Sequence, residues 1–418
     1  LLYLFFPNAT TMKHLLLPLL LLAVPARAQF SPSQNAAIDT AKAVGQAQAR
    51  AGRASQEADW ETAAAAYREL LYLRPKRYRT AYADSLLQAA QHSGNPETLG
   101  TAYLTAGIVH YDLKEHEPAL DAYLKAEKYL SAGSDAYSKY KLRYAIAQTK
   151  YYLGFYHEAV ALLEPCLAYF KAASTRGYLN TLHSLGLCYA KLGRVGDSES
   201  LNRLGLEKSA ASGIDAMVPY FKHSQGLNLY LRGRHPECIA ALEAVLPELE
   251  ERGDFANAAA AHSYLGRSHW ALGNRDTALA YFEKVHAVFL SHGYSRPDFR
   301  AHYETVLAHR TASGSLEEQL EAVTRLQAVD AYLNRNYRHL SRRIAKEFDS
   351  RELTASRDAL LRALERERLW HRAAIWALAS GVVALAYFWK RQAAANRRKF
   401  VALLDPPPAG AMAEARKV

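Results

Sequence analysis

The chain has 418 residues, a formal net charge of +11, 50% hydrophobic residues and three cysteines. Alanine, leucine and tyrosine dominate, proline is scarce in the long periodic stretches and β-branched residues are thin, which excludes a sheet-based core and reads as all-α. Most of the charge is local: between Arg335 and Lys399 sixteen Lys or Arg accompany six Asp or Glu. A basic stretch flanking an apolar one reads as a topology determinant, so no nucleic acid is expected as a partner of this chain.

The first methionine, Met12, opens a segment with the anatomy of an export signal. Lys13 supplies the charged start, residues 15–24 the apolar run, and Ala26-Arg27-Ala28 the small residues a cleavage pocket needs. The run is too short to cross about 30 Å of hydrocarbon, so residues 1–28 are expected to be upstream residues plus a signal removed before Gln29.

Residues 29–330 show internal repetition. Gly107, Ala147, Gly186, Gly226 and Gly266 recur in similar surroundings about every 40 residues, the mark of stacked units too small to bury their own apolar faces. Gly266, Leu272, Gly273, Ala278, Phe282 and Val285 form the clearest unit, and Gly107, Leu113, Ala119, Tyr123 and Ala126 the next. Ala147, Leu153, Gly154, Ala159, Leu163 and Cys166 make a third. Gly186, Tyr189, Leu192 and Gly193 open a fourth with a degenerate second half (Ser198, Asn202, Gly205), and Gly226, Gly233, Cys238 and Leu242 mark a fifth. Trp60, Ala63, Tyr67, Leu70 and Pro75 fit a closing half-unit, and residues 307–326 a terminal one. The long period predicts lengthened second helices. The cysteines, Cys166, Cys188 and Cys238, lie inside these helices without metal-ligand spacing and are expected as buried thiols, a Cys166–Cys188 disulfide being the alternative.

These residues resemble the tetratricopeptide repeat (TPR) family. That resemblance implies a right-handed α-solenoid of helix pairs whose concave face, lined by first helices, holds a peptide or protein segment. Carried onto this chain, the groove-facing positions are Tyr111, Tyr144, Gln148, Tyr151, Tyr152, Asn180, His183, Lys191, Tyr220, His223, Tyr230, Arg267 and Trp270. The aromatics at one equivalent position (Tyr111, Tyr151, Tyr230, Trp270) suit either a ligand lining or packing between helices.

From Leu320 to Arg372 no Pro or Gly interrupts the chain. Apolar residues at Leu326, Val329, Leu333, Tyr337, Leu340, Ile344 and Phe348 are spaced by three or four. This predicts a long linking helix over 331–372 that pairs with a copy as a homodimer coiled coil or packs back on the array. Residues 373–389 are uncharged, with Trp370 and Trp376 near one edge and Tyr387 and Trp389 at the other, and read as one transmembrane helix. Lys390, Arg391, Arg397, Arg398 and Lys399 then put a basic tail, 390–418, in the cytoplasm and the array in the periplasm, tethered to a bacterial inner membrane. The order of parts also resembles membrane-anchored TPR sensors, so a truncated regulator or histidine kinase with its output domain missing is the alternative. No catalytic, cofactor or metal motif occurs: pairs such as His116-Glu117 and His157-Glu158 lack a ligand four residues on. The expectation is a non-enzymatic binding protein.

Overall fold

The computed structural model describes residues 32–404, so the expected export signal and the tail beyond residue 404 lie outside the described residues. Three helices open the chain: α1 (Pro32–Gln56), α2 (Trp60–Leu73) and α3 (Arg79–Ser93). Five helix pairs follow: α4 (Pro96–Asp112) with α5 (His116–Leu130), α6 (Ala136–Tyr152) with α7 (Tyr156–Ala173), α8 (Thr175–Lys191) with α9 (Val195–Ser212), α10 (Val218–Leu231) with α11 (His235–Glu251), and α12 (Phe255–Ala271) with α13 (Arg275–His292). A sixth pair, α14 (Arg300–Ser313) and α15 (Leu316–Arg343), ends the array. No strand occurs among the described residues, and the pairs are of TPR type.

Local chemistry starts these helices where the sequence offers short polar acceptors. Asn95, Asp135, Ser174 and Asp254 each accept a hydrogen bond from a first-turn backbone N–H, and Ser315 with Glu318 forms a full capping box. The recurrent small residues have a steric cause. A Cβ on Gly107 would lie 2.6 Å from the Tyr123 ring, one on Gly226 2.4 Å from Leu242, and one on Gly266 2.6 Å from Phe282. Each glycine thus lets the second helix of its own pair press a large side chain against the first helix's backbone. In the degenerate fourth unit the nearest atom to a Cβ on Gly186 is Asn202 Oδ1 at 3.3 Å, so the aromatic and the steric demand are lost together. The extra length of the repeat is shared by both helices: α6, α8 and α12 have 17 residues and α7, α9 and α13 have 18. The expectation of lengthened second helices is corrected to that extent.

The three cysteines are free and buried. Burial pushes the Cys166 and Cys188 thiols up to about 12, where they are neutral and unreactive. The apolar seam expected to meet a second copy is largely covered within the single chain. Val329, Tyr337, Leu340 and Ile344 are all buried, so these positions pack back on the array, the second of the two arrangements expected for the seam.

A second unit begins at Lys346. Its main element, α16 (Ser350–Leu404), is the one helix among the described residues long and apolar enough to cross a membrane by length and composition. Ile375, Trp376, Leu378, Val382, Val383, Leu385 and Phe388 are all exposed along it.

Candidate functional site

The first helices α4, α6, α8, α10 and α12 touch one another in succession and form the inner layer of the array. The array winds until its ends meet. Lys76 Nζ donates to the Arg252 carbonyl at 3.1 Å, joining the turn before α3 to the end of α11. At the other edge α15 lies on α5: His339 Nε2 sits 3.0 Å from Glu117 Oε1, Arg343 pairs with Asp121, and the Tyr337 ring stacks on Tyr152 with centroids 4.7 Å apart.

Closure leaves a central cavity of about 140 Å³ to which α4, α6, α8, α10 and α12 all contribute. The connector between α13 and α14 closes it. Tyr294 and Ser295 are buried there, and Asp298 is gripped from both sides. The Arg296 guanidinium donates to both Asp298 carboxylate oxygens at 3.0 and 2.9 Å, while Lys191 Nζ lies 2.8 Å from Asp298 Oδ2 and 3.0 Å from the Tyr264 hydroxyl. Burial disfavours ionisation of Asp298, yet Arg296 and Lys191 outweigh it and hold the carboxyl well below its usual range. Burial likewise opposes charge on Lys191, but Asp298 and the Tyr264 and Tyr151 hydroxyls leave its pKa raised.

The histidines of the wall are neutral. Burial pushes His116 and His183 down to about 3 and His223 to about 4, with the positive charges of Lys114 near His116 and Arg296 near His223 adding to the effect. His116 stacks on Tyr152 with centroids 3.6 Å apart, and neither of its ring nitrogens finds a hydrogen-bond partner among the described residues. The cavity therefore presents aromatic faces, uncharged nitrogens and the Lys114 ammonium beside one tightly compensated ion cluster.

Of the residues predicted for the groove, Tyr111, Gln148, Tyr151, Tyr152, His183 and His223 line this cavity, and Lys191 closes it through Asp298. Tyr144 stands behind them, its hydroxyl 3.1 Å from Ser184 Oγ and accepting from Gln148 Nε2 at 3.1 Å, while Gln148 Nε2 also bonds Ser184. Asn180 is fully buried within α8. Tyr220 faces a different cavity. Tyr230 carries the Arg267 guanidinium 4.8 Å above its ring and leans on Tyr264, and Trp270 is covered by Arg275 at 3.9 Å and meets His309 edge-on. The aromatic stripe thus splits: Tyr111 and Tyr151 face the cavity, whereas Tyr230 and Trp270 pack against neighbours.

Sequence reasoning missed the Tyr294–Asp298 segment and Lys114. The first left a faint trace, a Pro beside opposite charges in a connector longer than its counterparts. The second is visible by aligning the units: Lys114 stands where the other pairs have Gly154, Gly193, Gly233 and Gly273.

No protein-family model and no curated protein matches the chain. Solved structures similar to it include a Rap protein complexed with competence and sporulation factor, at 14% identity and a TM-score of 0.47, over 74% of this chain and 99% of that one. Aspartyl phosphate phosphatase F from Bacillus subtilis matches at 16% identity and a TM-score of 0.43, over 82% and 96%. A signal transduction ATPase with a tetratricopeptide repeat sensor from Pyrococcus horikoshii matches at 14% identity and a TM-score of 0.43, over 67% and 46%. At such identities the likeness concerns the helical-repeat fold.

Proposed function

We propose that this chain is a non-enzymatic binding protein whose repeat array takes a peptide or protein segment at its concave centre. In this reading α16 tethers it to a bacterial inner membrane, with the array in the periplasm and the C-terminus in the cytoplasm. The observation that carries the reading is the convergence of the five first helices α4, α6, α8, α10 and α12 on one cavity, through Tyr111, Gln148, Tyr151, His183, His223 and Tyr264. At about 140 Å³ the cavity has room for one ring-sized group, comparable to the ~150 Å³ apolar cavity known to hold benzene. One aromatic or aliphatic side chain would seat there as the anchor of a longer segment lying along the inner layer. The bare apolar surface of α16 between Ile375 and Trp389, with Lys390, Arg391, Arg397, Arg398 and Lys399 at one end, supports the anchoring and its direction.

The full chain in a neutral detergent, panned against displayed random dodecapeptides, is expected to enrich sequences with one large apolar anchor, and Tyr151→Ala to abolish their binding. Enrichment of nothing, or of peptides that bind the variant equally, would overturn the reading. Orientation is read from C-terminal fusions. An active periplasm-dependent phosphatase at that end would contradict a cytoplasmic C-terminus.

A further inference from the structure

Where the winding array meets itself, a second cavity of about 730 Å³ opens between the turn before α3, the ends of α4 and α11, and the starts of α8 and α12. Five cations, Lys76, Arg79, Lys114, Arg176 and Arg252, face two carboxylates, Asp112 and Asp254. The carboxylates are already engaged. Arg79 Nη1 donates to Asp112 Oδ2 at 2.9 Å, and Asp254 caps α12, accepting from Asn257 N at 3.2 Å and Asn257 Nδ2 at 2.8 Å. Arg252 donates Nη1 to the Ala216 carbonyl at 3.0 Å and pairs with Glu248 through Nη2, and Lys76 holds the Arg252 carbonyl.

Three cations remain without a carboxylate: Lys76, engaged by the Arg252 carbonyl, and Arg176 and Lys114. Arg176 makes no ion pair among the described residues, and its buried Nε has no hydrogen-bond partner. Lys114 has ring faces beside it, its Nζ 5.7 Å from the Tyr111 centroid and 6.0 Å from that of Tyr294, and acts on Asp112 and Asp254 through its charge without an ion-pair contact. The backbone makes Lys114 more telling. Its φ is 66°, a left-handed conformation that four of the other five pairs give to Gly154, Gly193, Gly233 and Gly273, at φ between 72° and 87°, and that Ala58 adopts at 56° in the turn between α1 and α2. A side chain at such a position is strained, and strain of this kind concentrates at sites of function. The repeat would be better folded with glycine here; the chain places a cation.

We infer that this cavity is a binding site for an organic anion carrying two or more negative charges, with Lys114 and Arg176 as the residues that read its charge. Val109, Leu113 and Phe255 line the same space and offer the carbon skeleton an apolar surface. The volume lies within the roughly 300–1,000 Å³ of small-molecule sites and far exceeds a bare inorganic ion. The two cavities share Lys114, but the anion site is otherwise built from different residues, Arg176 foremost, and does not rest on the peptide reading.

The test uses the full chain in dodecyl maltoside with four probes, followed by calorimetry: acetyl-tetraglutamate, acetyl-tetraglutamine, citrate and fructose 1,6-bisphosphate. The acidic probes are expected to bind and the tetraglutamine not, with affinity falling as salt rises. Tighter binding of citrate or tetraglutamate assigns a carboxylate ligand, tighter binding of the bisphosphate a phosphate one. Lys114→Gly and Arg176→Gln are each expected to weaken binding by about tenfold, the worth of one charge-assisted contact. Lys114→Gly should at the same time raise the melting temperature, a combination that a merely structural lysine would not give. Tyr151→Ala should leave anion binding unchanged, which separates this site from the central one. No binding by any acidic probe, or undiminished binding to both charge variants, overturns the inference.

Discussion

The inner and outer layers of the array are built from different chemistry although both are helical. In α8 the buried residues include Asn180, Thr181, His183 and Ser184, in α10 His223, Ser224 and Asn228, and in α12 His262, Ser263 and Ser268. The outer α7 and α11 bury Leu162, Leu163, Cys166 and Phe170, and Leu242, Val245, Leu246 and Leu249. Of the outer helices α9, with Ser198, Asn202 and Ser209, departs furthest from this pattern, while α5 and α13 each bury one histidine, His116 and His286. Inner helices have neighbours on both sides, so they are covered whatever their composition, and a buried polar group costs about 1–3 kcal/mol where it lacks a partner. Apolar outer faces therefore supply the stability, and the inner wall spends part of it on polar groups that a binding site needs.

That contrast can be broken most sharply at the connector. Asp298→Ala strips the shared partner from Lys191 and Arg296, and is expected to lower the unfolding free energy by about 3 kcal/mol in urea titration. Removing Glu199 from its exposed pair with Arg232 on the outer layer should cost no more than about 0.5 kcal/mol. Equal losses would mean that the buried cluster contributes no more to stability than an exposed pair. Next in size, Gly266→Ala drives a methyl into Phe282 and should cost about 2–3 kcal/mol, whereas Gly186→Ala comes no nearer than 3.3 Å to any neighbour, Asn202 being the first, and should cost less than about 1 kcal/mol.

The neutral histidines make the inner wall acid-sensitive. Burial sets the folded-state values of His116 and His183 at about 3 and of His223 at about 4, against an ordinary 6.5. The unfolded chain then binds protons that the folded chain refuses. Stability is complete above pH 6.5 and is lost as pH falls from there toward 3–4, by up to ~1.4 kcal/mol per pH unit for each histidine. Denaturation curves at pH 7.5 and 5.5 measure it, and the joint replacement of His183 and His223 by leucine should flatten the difference. Smallest and opposite in sign, Lys114→Gly should stabilise the fold by about 0.5–1 kcal/mol.

The helix pairs were legible in the sequence because Gly107, Gly226 and Gly266 answer to partners within their own units, Tyr123, Leu242 and Phe282, at a fixed spacing. Six of the thirteen residues predicted for the groove meet at the central cavity, since the groove-facing positions implied by the repeat resemblance put Tyr111, Gln148, Tyr151, Tyr152, His183 and His223 on inward faces. Periodicity could not separate Tyr151 from Trp270. Both occupy the same slot of the repeat, and only the superhelical winding decides that one ring faces the centre while the other is covered by Arg275.

What the sequence determined by itself was therefore everything local: helix pairing, capping, the glycine contacts and an apolar helix long enough for a bilayer. The tertiary structure alone decided what depends on closure, including the contact of Lys76 with Arg252, the stacking of Tyr337 on Tyr152 and the meeting of Lys191 with Asp298. These partners stand 176, 185 and 107 positions apart, and no repeat period links them. Small rotations between successive helix pairs add up over the whole array, and their sum fixes which distant side chains come within hydrogen-bonding distance.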